Sequence, residues 1–397
     1  MQRAAAFRSA TPFPIELHED VLIMIVSLVR DVKPSTTRAD AYSDFVGVIR
    51  GIGSVSNGWR HLAKSVLMED ALSRLTVSGS AAVAECLSSF PYARWLRVVG
   101  AARAWDIVAA LERSSVVRLE LANNAMLRDC EDLGQLAGLR SLSLTQCREL
   151  RDVAVLSALT GLHTLHLSDC RQLSDVRPLS ALVGLRSLHI SACHLLTDVR
   201  PLSALVALRS LHLGHCYQPD FGPLSVLVGL HTLSIRNCFE LSDLRPISTL
   251  VELQTLNLSN CAKLSDVRPL STLTSLRTLE LSYCPQLSDV RPLGALIGLT
   301  ALNISYCWRL ADVAALSALV SVNLQTLELS DCILLDHAKA LSTLVGLRTI
   351  DLSGTCQQRD ALPLPSVEGL LDVGGCKLQR NVGCTVGEAL CDRTEIP

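Results

Sequence analysis

Residues Gly184–Val206 read GLRSLHISACHLLTDVRPLSALV, and this stretch decides the fold. Its pattern returns along the chain as LxxLxLxxCxxLxDVxPLSxLxx. Leu139, Leu162, Leu185, Leu208, Leu230, Leu253, Leu276, Leu299, Leu324 and Leu347 hold the first position. Cys147, Cys170, Cys193, Cys216, Cys238, Cys261, Cys284, Cys307 and Cys332 hold the ninth, separated by 22 to 25 residues and mostly by 23. A side chain that recurs at that period occupies the same structural slot in each unit. The LxL core has period two, so it is a short strand with both leucines inward and the middle residue outward. The DVxPLSxL half must then bring the chain back in about ten residues. Pro178, Pro201, Pro246, Pro269 and Pro292 have no N–H to donate and suit the start of a short helical turn. Asp175, Asp198, Asp243, Asp266 and Asp289 precede them, where a carboxylate caps such a turn.

One unit alone cannot bury its leucines; stacked units share a continuous core. Val116 holds the first slot with Asn124 in the cysteine slot, and looser units begin at Leu72 and Ala93. Leu371, Val373 and Cys376 have the pattern of a last strand. The expectation is about 13 parallel strands. Composition fits repeated aliphatic layers, with 49% apolar residues and 4% aromatics. The net charge of −2 gives no basic field for nucleic acid or an anionic membrane. The longest apolar run, Val21–Val29, follows Glu19 and Asp20 and is too short to span a membrane. Arg3 and Arg8 within an acid-free start leave a mitochondrial presequence as the lesser alternative to an intracellular protein of the cytoplasm or nucleus.

The 15 cysteines include no CxxC pair and no zinc spacing with histidine. Adjacent slots lie about 4.8 Å apart, but side chains stacked in parallel do not converge as a disulfide requires. Buried, reduced thiols acting as small hydrophobes with a weak donor are expected, in a reducing compartment.

The period and the LxxLxL core are similar to leucine-rich repeats. DVRPLSAL resembles the repeats of bacterial internalins and of the eukaryotic phosphatase-regulatory family, and the cysteine variant resembles trypanosomatid leucine-rich-repeat families. The resemblance implies an α/β fold, a right-handed solenoid over residues 71–376 with its strands on the concave face, and a tail or cap at 377–397. It implies protein binding and no chemistry.

Residues 1–70 do not repeat. Leu17–Leu28 has a helical apolar pattern, and Val55–Ala63 reads VSNGWRHLA. Together they resemble an F-box, with Leu17, Val21, Leu22, Ile25, Val55, Trp59 and Arg60 at its matched positions. The resemblance implies docking to a Skp-type adaptor of a cullin-type ubiquitin ligase, with substrate held by the repeats. The alternatives are a helical cap on the first repeat, and an adaptor or regulatory scaffold (phosphatase-regulatory or cytoskeletal) with no ubiquitin role.

Two outward columns vary while the inward positions do not. The middle strand residues include His166, His189, His212, Asn257, Glu280, Asn303, Glu328 and Asp351. The residues just before the cysteine include His215, Tyr283 and Tyr306. Varied side chains on a fixed frame suit recognition of a protein partner, and Tyr283, Tyr306 and Trp308 are aromatic anchor candidates. The three stacked histidines also suggest a metal, but parallel imidazoles do not meet at one point, so no metal is expected. No cofactor is implied. There is no GxSxG, Walker loop, HExxH or GxGxxG at a strand–helix junction, so no catalytic residue is assigned and an enzyme is the outsider.

Overall fold

The computed structural model describes residues 74–355, apart from 80, 90–92, 101, 113, 216–219, 322–323, 336–340, 342–343 and 345, and two further strands at Leu362–Leu364 and Leu378–Arg380. The chain divides at Leu72/Ser73, and the described residues belong to the second unit. The F-box-like positions Leu17, Val21, Leu22, Ile25, Val55, Trp59 and Arg60 lie outside them, as do Cys216 and residues 371–376.

One parallel sheet runs in chain order through thirteen strands. They are β1 (Arg74–Ser78), β2 (Trp95–Val99), β3 (Arg118–Ala122), β4 (Ser141–Thr145), β5 (Thr164–Ser168), β6 (Ser187–Ser191) and β7 (Ser210–Gly214), followed by β8 (Thr232–Ser234), β9 (Thr255–Asn257), β10 (Thr278–Glu280), β11 (Ala301–Asn303), β12 (Thr326–Glu328) and β13 (Thr349–Asp351). The strands at Leu362–Leu364 and Leu378–Arg380 pair only with each other. Every inward position of the quoted unit is buried: Leu185, Leu188, Ile190, Cys193, Leu196, Val199, Leu202 and Leu205 are at most 1% exposed.

The return legs are short because ten residues leave no room for a longer helix. Between β3 and β12 they are 3₁₀ turns, five residues long in Arg177–Ala181 and its equivalents, with proline second. Helices α1 (Ala81–Ser89) and α2 (Ala104–Leu111) serve the first two units. The expected caps are present. An Asp175 carboxylate oxygen accepts the Arg177 N–H at 2.8 Å, and Asp198, Asp243, Asp266 and Asp289 repeat the bond at 2.9 Å. Each of these carboxylates also pairs with the arginine it caps, at 2.7–2.9 Å. These pairs are exposed, so each is worth little beyond orientation.

The column just before the cysteine is shaped by its backbone. Asn123, Gln146, Asp169, Ala192, His215, Asn237, Asn260, Tyr283, Tyr306 and Asp331 all have φ between +53° and +61°, and Gly354 has +70°. This left-handed conformation costs a residue with a Cβ roughly 1–2 kcal/mol. It lets the N–H continue the ladder past the strand. Asp169 donates to the Ser191 carbonyl at 2.9 Å, Asn260 to Ser282 at 2.8 Å, and Tyr283 to Ser305 at 2.9 Å. It also turns the next residue inward. There Cys170 Sγ lies 3.2 Å from the Leu144 carbonyl, Cys261 Sγ 3.2 Å from Ile235 and Cys332 Sγ 3.1 Å from Ile304, each in the preceding unit. Burial pushes the Cys147, Cys284 and Cys332 thiols up to about 11, so they stay protonated donors. Asn124 does the same with an amide. It donates to the Ala102 carbonyl at 2.6 Å and accepts the Ala102 and Met126 N–H groups.

Ala192 bears the left-handed cost without a compensating polar side chain. Replacing it by glycine should raise stability by about 0.5–1 kcal/mol, the relief being partly offset by the freer unfolded chain. Ala192→Val should lower it by more than 1 kcal/mol, roughly, because a β-branched side chain is an outlier there. Equilibrium denaturation reads both. A stabilised valine variant would contradict the conformation.

Candidate protein-binding face

The strand register sets the outer face. His166, His189 and His212 are opposite one another on β5, β6 and β7. Asn257, Glu280, Asn303, Glu328 and Asp351 follow in line on β9 to β13. Neighbours are about 4.8 Å apart, so each side chain covers the next. The column is therefore half-buried. Tyr283 and His215, on the left-handed positions, are exposed, and Tyr306 is half-buried. Trp308 follows Cys307 on the turn leaving the sheet and is exposed.

The histidine rings are stacked, with centroids 5.5 and 5.0 Å apart and planes within 15°. His189 Nε2 is 3.1 Å from Ser191 Oγ, and His212 Nε2 is 3.1 Å from Ser210 Oγ. Burial, then His212 and His166, and then Arg236, push His189 down to about 4. Burial also lowers His166 and His212. Burial and then Arg236 lower His215, which lies 3.0 Å from the Asn237 amide. The stretch is a neutral polar stripe at pH 7. Among the described residues, no three His, Cys, Asp or Glu side chains group to hold a metal.

The other end is acidic and aromatic. Tyr283 and Tyr306 lie 4.1 Å apart with planes within 7°. Hydrogen bonds to Tyr283 and then to Asp331 push the Tyr306 phenol up to about 12. Asn303 Nδ2 donates to Glu328 Oε2 at 2.6 Å. Burial, then the Glu328 charge, raise the Glu280 carboxyl, and a hydrogen bond from Asn303 opposes the rise. The first strands carry their own pairs. Arg97 meets Glu120 at 3.0 Å, and Arg118 lies over the Trp95 ring. Asp169 is held by Arg171 at 2.7 Å and Arg148 at 3.1 Å. Asp331, Arg236 and the serines beside the column were not singled out from sequence; Asp331 was visible only as one member of the varied column.

A family model described as leucine-rich repeats (2 copies) matches residues 251–295. The repeats are leucine-rich repeats. Internalin inlF of Listeria monocytogenes has a similar solved structure, with a TM-score of 0.54 and 22% identity over 73% of this chain and 86% of that one. Internalin C2 of the same organism aligns with a TM-score of 0.41 and 26% identity, over 50% of this chain and 84% of that one. A leucine-rich-repeat protein of Leptospira interrogans gives 0.39 and 18%, over 66% and 84%. The likeness to inlF is one of fold. No curated protein matches the chain. Among the described residues no helix is long and apolar enough to cross a membrane.

His189 at about 4 lies below its ordinary 6.5. An unfolded chain takes up that proton first as the pH falls. The stability held by the neutral stack is therefore complete above about 6.5 and is lost as the pH falls through 6.5 towards 4. Asp198, Asp243 and Asp289, held down to about 2 by their arginines, lose their contribution only below their ordinary 3.8. His189→Gln should flatten the stability profile between pH 6.5 and 4, and NMR titration should place the His189 ring well below 6.5. A ring titrating at 6.5 would contradict the stack.

Proposed function

We propose that this chain is a substrate receptor. The concave sheet face takes a protein partner, and residues 17–63 dock a Skp-type adaptor of a cullin-type ubiquitin ligase. The observation that carries the first part is the contrast between invariant inward slots and varied outward ones along a single sheet. An extended repeat face suits binding across many strands. The second part rests on the F-box-like sequence alone, on Leu17, Val21, Leu22, Ile25, Val55, Trp59 and Arg60. The competing reading, a scaffold with no ubiquitin role, is favoured by His18, which stands where the F-box pattern has proline. In neither reading does the chain catalyse a reaction, and an intracellular setting, cytoplasmic or nuclear, belongs to the receptor reading.

Co-purification of the full chain with a Skp-type adaptor separates the two. Adaptor should be retained by the natural chain and lost in L22D/I25D, with the thermal unfolding of the repeats unchanged. No retention by the natural chain leaves the scaffold reading. In a second arm, arginine at Ser143, His189 or Asn257 should each reduce partner capture, measured by quantitative cross-linking. Capture unaffected by all three would place binding off this face.

A further inference from the structure

Many carboxylates of this array are matched, among them both that stand on the outer columns before β10. Glu120 has Arg97, Asp169 has two arginines, Glu240 has Lys263, and the five turn aspartates have their own arginines. One group differs. Glu280, Glu328, Asp331 and Asp351 lie together on β10 to β13 and the turn after β12. Among the described residues none of the four has a lysine, arginine or histidine within ion-pair distance. Asn303 ties Glu328 down without neutralising it.

A second observation lies in the same place. Ser305 is 4% exposed, and its Oγ has no hydrogen-bond partner. It is on the outward row two residues past Asn303. Elsewhere in that row Ser282 donates to Ser259, Ser191 to Ser168, and Ser353 to Asp351. A buried hydroxyl left unpaired is costly and marks a place for a missing partner. Beside it stands the Tyr283–Tyr306 pair, held by two left-handed residues with Tyr283 47% exposed.

We propose that this end of the face binds an arginine-bearing basic segment of the protein partner. A guanidinium is planar. It can donate in pairs to a carboxylate while its face lies on a tyrosine ring, which a lysine ammonium does less well. Glu280 and Glu328 are two strands apart, about 10 Å, a distance an extended chain covers in about three residues. The segment therefore carries at least two basic residues close together. The neutral histidine stripe at the other end offers such a segment no carboxylate. The assignment rests on the reading that this face takes a protein partner.

The test uses the full chain and fluorescent peptides of one length, rich in arginine, lysine or glutamate, followed by anisotropy. The arginine peptide should bind more tightly than the lysine peptide, and the glutamate peptide should not bind. E280Q/E328Q should weaken the arginine peptide by about tenfold or more. D198N/D243N, which removes the same charge from the turns, should leave binding unchanged. Tyr283→Ala should remove the preference for arginine over lysine. Equal arginine-peptide binding by E280Q/E328Q and the natural chain would overturn the proposal, as would no binding by the natural chain. If the arginine substitutions at Ser143, His189 and Asn257 still abolish partner capture in that event, the face keeps its role and only the basic segment falls. If those substitutions leave capture intact, the reading of the face itself has failed.

Discussion

Each unit is joined to the next by an N–H that reaches beyond its strand, on a residue forced into the left-handed region. Without that turn, the chain leaving the strand would not carry the ladder one residue further or aim the cysteine inward. The bond recurs from Asn123 to Asp331 at 2.7–3.0 Å. From β8 on the strands shorten to three residues, yet Leu258 still donates to Glu280 and Leu281 to Asn303, at 2.8 and 2.7 Å. Ten residues accept an unfavourable φ, and the array recovers a backbone bond at each and, directly after eight of them, a buried thiol. A Cβ costs about 1–2 kcal/mol there, comparable to what one net hydrogen bond returns, so the leucine core must supply the rest.

The same constraint divides the molecule into fixed and variable positions. Inward slots are filled by Leu, Ile, Val and Cys because a neighbouring unit presses on each. Outward slots meet only side chains about 4.8 Å away on the same face, so chemistry can change from strand to strand. The sheet therefore carries a paired start at Arg97 and Glu120, a neutral histidine stripe, and an unneutralised acidic end with two stacked tyrosines. A partner lying along it meets three environments in order. The histidine stripe stays neutral near pH 7, because a ring held low by burial is charged only by an anionic neighbour or by acid.

Much of this was legible in the sequence. The 23-residue spacing gave strands at LxL, leucines inward, and a thiol slot just past the strand. The aspartate of DVRP gave the capped turns. The left-handed column was visible in part, since Asn123, Asp169, Asn237, Asn260, Asp331 and Gly354 are residue types that tolerate positive φ. It was read as a recognition column because Ala192, Tyr283 and Tyr306 do not announce a backbone conformation. The half-burial of Glu280 and the histidines was also hidden. It arises from neighbours on adjacent strands, and a linear pattern records direction but not crowding. The F-box-like positions are legible only as a resemblance, and they lie outside the described residues.

Amide hydrogen exchange tests the central constraint most directly. The N–H groups of Asn237, Asn260, Tyr283 and Tyr306 sit in turns, where free amides exchange quickly. Because each is bonded to the next unit, they should exchange as slowly as the buried strand amides of Leu256 and Leu279 and be released together with them. Fast exchange at these four with protected strands would contradict the account, since the units would then be joined by their strands and leucines alone.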